Sequence, residues 1–196
     1  FIICCGYKGY LIKEYFSNYY LHQSDVTFNL SENKMTINKH RAEPWNITLV
    51  DTGENTMTGG RIKRLYKFLK NERFLLTYGD GLCSVNLKNL VNFHLKNKNY
   101  ITLTAARPPA RFGGVKIIGS KVNYFKEKSS LDEGWINGGF FVVEPEIFKF
   151  LKNDKTILEK SPLQKICKLK KLGAYKHNKF WQCMDTIRDK MILEDV

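Results

Sequence analysis

The chain has 196 residues, 43% of them hydrophobic and 26% charged, with a formal net charge of +13. That length is enough to bury a real core as one domain over 1–196, and no stretch reaches the roughly 20 apolar residues of a membrane span. The five cysteines are odd in number and show no C-x-x-C spacing, which argues against a disulfide framework or zinc site and for reduced, cytoplasmic thiols.

"FIICCGY" is a continuous apolar run, the pattern of a strand buried on both faces. "KGYLIKEYFSNYYLHQ" follows, with Leu11, Ile12, Tyr15, Phe16 and Tyr19 at helical spacing. "DVTFNLSENKMTINKH" alternates apolar and polar residues around a turn at "SENK" and reads as a hairpin. "NITLVDTG" is the next strand, ending on Asp51. "TMTGGRIKRLYKFLK" is then a helix with Thr58 as its N-cap.

"RFLLTYGDG" reads as a strand running to Asp80. "NLKNLVNFHLKNK" is a helix with Leu87, Leu90, Val91, His94 and Leu95 on one face, and His94 there reads as a packed side chain. "YITLTAAR" is a strand, and "FGGVKIIGSKVNYFKEK" is a hairpin turning near Gly119. "GWINGGFFVVEPEIFKFL" is a strand leading into a short helix. "SPLQKICKLKKLG" is a helix with Ser161 as N-cap, Pro162 in the first turn and Gly173 just past the end. "AYKHNKFWQCMDT" is a strand ending on Asp185, and "IRDKMILEDV" closes the chain as a helix.

The alternation of strands and helices predicts an α/β fold: a Rossmann-like, mostly parallel sheet with helices on both faces and a β-hairpin insertion. Ligands bind such sheets outside the carboxyl ends of the strands, where Asp51, Asp80 and Asp185 are expected.

Three readings of Asp80 stay open: a cap for the helix near Asn86, a turn residue of Gly-Asp-Gly, or a Mg²⁺ ligand on an uncrowded strand end. Asp185 reads equally as a helix N-cap. The glycine pair before Arg61 offers N–H groups to an anion or is an ordinary helix start. "NGG" at Asn137–Gly139 suits close backbone approach or a plain turn. Glu127 and Lys128 read as an exposed ion pair of little energetic value. The positive charge is scattered, and no nucleic-acid-binding motif is legible.

In this order "FIICCGYKGYLIKEYF", "EPWNITLVDTG", "TMTGGRIKR", "TYGDG", "FGGVKI", "FKEK", "INGGFFV" and "FWQCMDTIRDK" resemble the sugar-nucleotide nucleotidyltransferases, and among them the cytidylyl branch. The resemblance covers nearly the whole chain. It implies Mg²⁺-dependent transfer of a cytidylyl group from CTP to α-D-glucose 1-phosphate, giving CDP-glucose for bacterial surface polysaccharides. Asp80 and Asp185 match the pair that holds Mg²⁺, with Lys128 also catalytic. Thr56, Arg61, Gly79 and Asp80 match nucleotide-contacting positions. Glu127, Lys128, Asn137, Gly138 and Gly139 fall where the family handles the sugar phosphate. A homo-oligomer, a hexamer, is implied, with neither nucleic acid nor membrane as partner. A UTP- or dTTP-using relative and a non-catalytic assembly subunit of the same fold are the other readings.

The resemblance has one gap. The family opens on a Gly-rich G-G-x-G-T-R loop and a Lys-Pro segment, which wrap the triphosphate and supply a catalytic Arg. Residues 1–196 hold neither, and the chain starts on a strand rather than on Met. A preceding segment is therefore expected, and these residues alone are expected to be inactive or barely active, the intact parent being the enzyme.

Overall fold

The computed structural model describes residues 1–108, 114–118, 121–126 and 134–196. They form two compact units: Phe1–Lys67 with Leu151–Glu159, and Phe68–Phe150 with Lys160–Val196.

In the first unit β1 (Ile2–Cys5) is followed by α1 (Gly9–His22). The apolar run does form a strand, yet only Cys5 is fully buried. Among the described residues, β1 has one strand partner, the parallel β4. The helical face of α1 is likewise half open, with Leu11 and Tyr15 exposed. The hairpin β2 (Ser24–Asn29) and β3 (Lys34–His40) pairs antiparallel, as alternation predicts. β4 (Thr48–Asp51) ends on Asp51, whose Oδ1 accepts the Gly53 N–H at 2.8 Å.

α2 (Thr58–Arg64) starts one residue earlier than its expected cap allows. Met57 is the N-cap, and the Thr58 hydroxyl instead donates to Glu159 at 2.7 Å and accepts from the Leu158 N–H at 2.9 Å. Long-range partners outbid the local cap. The glycine pair of α2 packs against backbone: a Cβ on Gly60 would fall 2.6 Å from the Asp154 Cα, and the Gly60 N–H bonds Thr156 O at 3.1 Å. A short helix, α3 (Tyr66–Leu69), follows.

The second unit is built on a four-stranded sheet. Its strands are β5 (Phe74–Leu76), β7 (Ile101–Ala106), β10 (Ile136–Val143) and β11 (Leu172–His177), in the order β11-β7-β10-β5. β11 runs parallel to β7, while β10 runs antiparallel to both β7 and β5. A second ladder pairs β6 (Gly81–Cys83) with β12 (Trp181–Cys183). α4 (Leu87–Asn97) packs on β7, β10 and β11, and α5 (Ser161–Lys168) packs on β11. β8 (Gly114–Ile118) and β9 (Lys121–Lys126) form the antiparallel hairpin, described by its backbone alone; Gly119 lies outside the described residues. α6 (Ile187–Glu194) closes the chain.

The core sits where α4 meets the sheet. Leu90, Ile101, Phe141, Val142, Val143 and Ile147 are fully buried, each contributing about 1.5–3 kcal/mol relative to exposure. β7 is buried along both faces, so its β-branched residues never meet solvent.

Two expected helix limits move. Lys160, not Ser161, is the N-cap of α5, with Pro162 in the first turn as expected. Gly173 lies inside β11, and the left-handed residue after the helix is Lys170 at φ 55°. Gly173 is needed for room: a Cβ there would fall 3.0 Å from the Asn99 Cγ and the Thr102 Oγ1.

The end of the sheet where β7 begins carries a closed polar network. Glu144 Oε1 accepts from Arg73 Nε at 2.7 Å and meets His94 Nε2 at 3.0 Å. His94 Nδ1 meets the Thr102 hydroxyl at 2.8 Å, and Asn99 Nδ2 donates to that same oxygen at 3.2 Å. A neutral imidazole with its proton on Nε2 satisfies both partners, donating to Glu144 and accepting from the Thr102 hydroxyl. Burial pushes the His94 pKa down, with Glu144 working against it. A cleft of about 300 Å³ opens here, lined by Arg73, His94, Lys98, Tyr100 and Glu144 among others.

Candidate active site

The expected strand through Asp80 is broken in two. β5 stops at Leu76, and β6 begins only at Gly81, in a different ladder. Asp80 therefore lies in the bend between two strands. The β11–β12 stretch splits in the same way.

This break sets the backbone segments that carry the two acids side by side. β6 and β12 pair antiparallel with Gly81 opposite Cys183. One step further, the Met184 N–H donates to the Asp80 carbonyl at 2.8 Å. Asp80 and Asp185 thus follow on adjoining backbone, and both side chains are exposed. The Cys183 thiol donates to Asp185 Oδ2 at 3.1 Å.

Neither acid caps a helix. Asn86 caps α4, its side chain accepting from the Asn89 N–H at 2.9 Å. Thr186 caps α6 in a capping box with Asp189. Asp189 is buried and is also bonded by Gln182 Nε2 at 2.9 Å. Gly79 and Gly81 do not have left-handed φ, and a Cβ on either would meet nothing within 4 Å. Their effect is open space beside Asp80.

Asn137–Gly139 proves to be a bulge in β10. Asn137 is opposite Ala105, but Phe141 is already opposite Leu103, so β10 carries extra residues there. Asn137 Oδ1 accepts from the Gly139 N–H and its Nδ2 donates to the Tyr78 hydroxyl, both at 3.1 Å. Gly139 has φ 80°, and a Cβ there would fall 2.6 Å from the Tyr78 ring. Trp181 Nε1 donates to Gly138 O at 2.8 Å. A Cβ on Gly138 would press on Thr104 O at 2.9 Å. The Tyr78 ring also meets Phe141 edge-on at 5.7 Å.

Of the residues singled out from sequence, Gly79, Asp80, Asn137, Gly138, Gly139 and Asp185 fall in this second unit, linked through Tyr78, Trp181 and the β6–β12 ladder. Thr56 and Arg61 belong to the first unit. Thr56 is buried there. The Arg61 guanidinium lies over Gly6 and donates to Thr52 Oγ1 at 2.7 Å, Cys5 O at 3.3 Å and Glu54 O at 3.2 Å. Glu127 and Lys128 lie outside the described residues. Sequence reasoning passed over Tyr78 and Trp181. Their one signal is an aromatic residue a few positions before each acid, in "TYGDG" and "FWQCMD".

A model of the nucleotidyl transferase family matches residues 11–185, and the chain belongs to that family. The chain is 51% identical over 195 residues to the glucose-1-phosphate cytidylyltransferase of Salmonella typhimurium, covering 99% of this chain and 76% of that protein. It is 38% identical over 190 residues to the probable glucose-1-phosphate cytidylyltransferase of Bacillus subtilis, covering 96% of this chain and 74% of the relative. Similarity to that branch thus runs through nearly the whole chain. Among solved structures, HddC from Yersinia pseudotuberculosis matches at TM-score 0.63 and 19% identity, over 97% of this chain and 75% of that one. At that identity the likeness concerns the α/β fold. No helix among the described residues is long and apolar enough to cross a membrane.

Proposed function

We propose that the protein transfers the cytidylyl group of CTP to α-D-glucose 1-phosphate, giving CDP-glucose and pyrophosphate. The observation that carries this reading is 51% identity over 99% of the chain to a glucose-1-phosphate cytidylyltransferase. Residues 1–196 act in it as one nucleotidyltransferase domain of a cytoplasmic homo-oligomer.

The sugar phosphate's own oxygen attacks the α-phosphorus of CTP, and the bond to the pyrophosphate oxygen breaks. That nucleophile is already anionic, so no strong general base is required. The barrier lies in bringing two polyanions together in line and in stabilising charge on the leaving group. This chemistry calls for carboxylate-held metal and for Lys and Arg rather than a Ser–His pair.

Asp80 and Asp185 are assigned to a divalent cation, Mg²⁺. Their fit rests on the donor set: two exposed carboxylates on adjoining backbone, with open space at Gly79 and Gly81. No cluster of three His, Cys, Asp or Glu suited to a metal is present among the described residues. Two carboxylates with phosphate and water completing the shell is the usual Mg²⁺ habit. When bound, the ion neutralises phosphate charge and orients the in-line attack.

By family resemblance, Lys128 neutralises the sugar phosphate, with Glu127 beside it. The Asn137–Gly139 bulge faces the same substrate. Thr56, Arg61 and Gly79 are assigned to the nucleotide. The Arg61 contacts support an indirect share in that work, since they hold the ends of β1 and β4.

The test is a nucleotide panel on the intact protein. CTP, UTP, dTTP and GTP are each offered with glucose 1-phosphate and Mg²⁺, and the sugar nucleotide formed is identified by mass. CDP-glucose as the main product is expected. Faster turnover of UTP or dTTP, or magnesium-independent silence with every nucleotide, overturns the reading.

A further inference from the structure

We infer that Tyr78 and Trp181 are positioning residues that bolt the Asn137–Gly139 bulge to the two acid-bearing segments and thereby set where the sugar phosphate sits. The inference rests on the cytidylyltransferase reading. Asn137 still pairs with Ala105, but Gly138 and Gly139 have no ladder partner among the described residues, so the sheet alone does not fix them. Two of the three residues here are glycines and bring no side chain to pack. Their place is set by two aromatic residues instead. Tyr78 bonds Asn137 through its hydroxyl and carries Gly139 against its ring. Trp181 bonds the Gly138 carbonyl.

Each aromatic residue belongs to a segment that carries an acid. Tyr78 stands two residues before Asp80, and Trp181 opens the strand that leads to Asp185. Those segments are joined in turn by the β6–β12 ladder and the Met184–Asp80 hydrogen bond. The bulge and both acids therefore form one braced frame. A substrate lying on the bulge is held in register with a phosphate held at the acids. Loosening either bolt lets the bulge drift while the acids stay where they are.

The test separates this from plain packing. Tyr78→Phe, Trp181→Phe and Tyr78→Ala are made in the intact protein, after the wild type has been run with the nucleotide panel against several sugar 1-phosphates. Tyr78→Phe and Trp181→Phe are each expected to raise KM for the sugar phosphate about three- to tenfold, the effect of one neutral hydrogen bond. KM for the nucleotide should stay within about twofold, which is the split that packing alone does not produce. Tyr78→Ala should lose far more, and Tyr78→Phe should recover most of it. Unchanged KM values in both Phe variants, or equal rises for both substrates, overturn the inference. If Trp181→Phe fails to fold, Tyr78→Phe, which lacks only a hydroxyl, decides. A wild type that turns over nothing on the panel sinks the cytidylyltransferase reading and this inference with it. If another substrate pair is used, the split is read on that pair.

Discussion

The two ends of the four-stranded sheet treat polar groups in opposite ways. Where β7 begins, Arg73, Glu144, His94, Thr102 and Asn99 satisfy one another, and His94 is almost wholly buried. Where β10 begins, Asp80 and Asp185 are exposed, and Asp80 lies between two glycines at which a Cβ would meet nothing. One end spends its charges on holding the fold. The other leaves carboxylates accessible and uses aromatic side chains to hold the backbone. The presence of a His, a Glu and an Arg around a cleft is thus no guide to chemistry in this molecule, because their partners are already chosen.

Substitutions can break that contrast, starting with the largest effect. Asp80→Asn should lower turnover of the intact protein about a hundredfold or more, with its unfolding midpoint unchanged; steady-state rates and a denaturant melt check both halves. His94→Ala should do the reverse. It leaves Thr102 and Glu144 short of a partner and opens a void, costing about 2–4 kcal/mol by urea unfolding, while turnover stays near wild type. Gly139→Ala lies between them. Its left-handed φ and the nearby Tyr78 ring predict a loss of about 1–2 kcal/mol, together with a raised KM for the sugar phosphate.

Acid sharpens the comparison from the structural end. The depressed His94 pKa means that the folded chain holds this imidazole neutral while the unfolded chain protonates it. Stability from this group is therefore present above the ordinary histidine value of about 6.5 and is lost as pH falls below it. Urea midpoints at pH 8 and pH 5.5 should differ, and the difference should shrink in His94→Gln. The smallest effect is that of Gly79→Ala. A Cβ there meets nothing, so stability should move by no more than about 0.5 kcal/mol, whereas turnover should drop if that space admits substrate.

Much of the fold was legible because it depends on local periodicity. The helices around Leu11 and Leu90 and both hairpins fall where spacing puts them. Two of the failures share one cause, which is partners distant in sequence. Thr58 has the chemistry of a cap, but Glu159 and the Leu158 N–H take its hydroxyl. Gly173 has the chemistry of a helix stop, but Asn99 and Thr102 need the room inside a strand. At the site, the acids stood out because glycine or a helix start follows each of them. Tyr78 and Trp181 did not, because an aromatic residue near a strand reads as core. Their roles come from hydrogen bonds to residues 137 and 138, which no local pattern encodes.

Asp185 shows what such framing does for binding. Before it, the Met184 N–H is tied to Asp80; after it, the Thr186 N–H is tied to Asp189, at 2.8 and 3.0 Å. Its main chain is thus clamped on both flanks before any ligand arrives. On the proposed reading, a cation taken up there would forfeit little backbone entropy, and such preorganisation would let a water-rich ion be held by few protein oxygens.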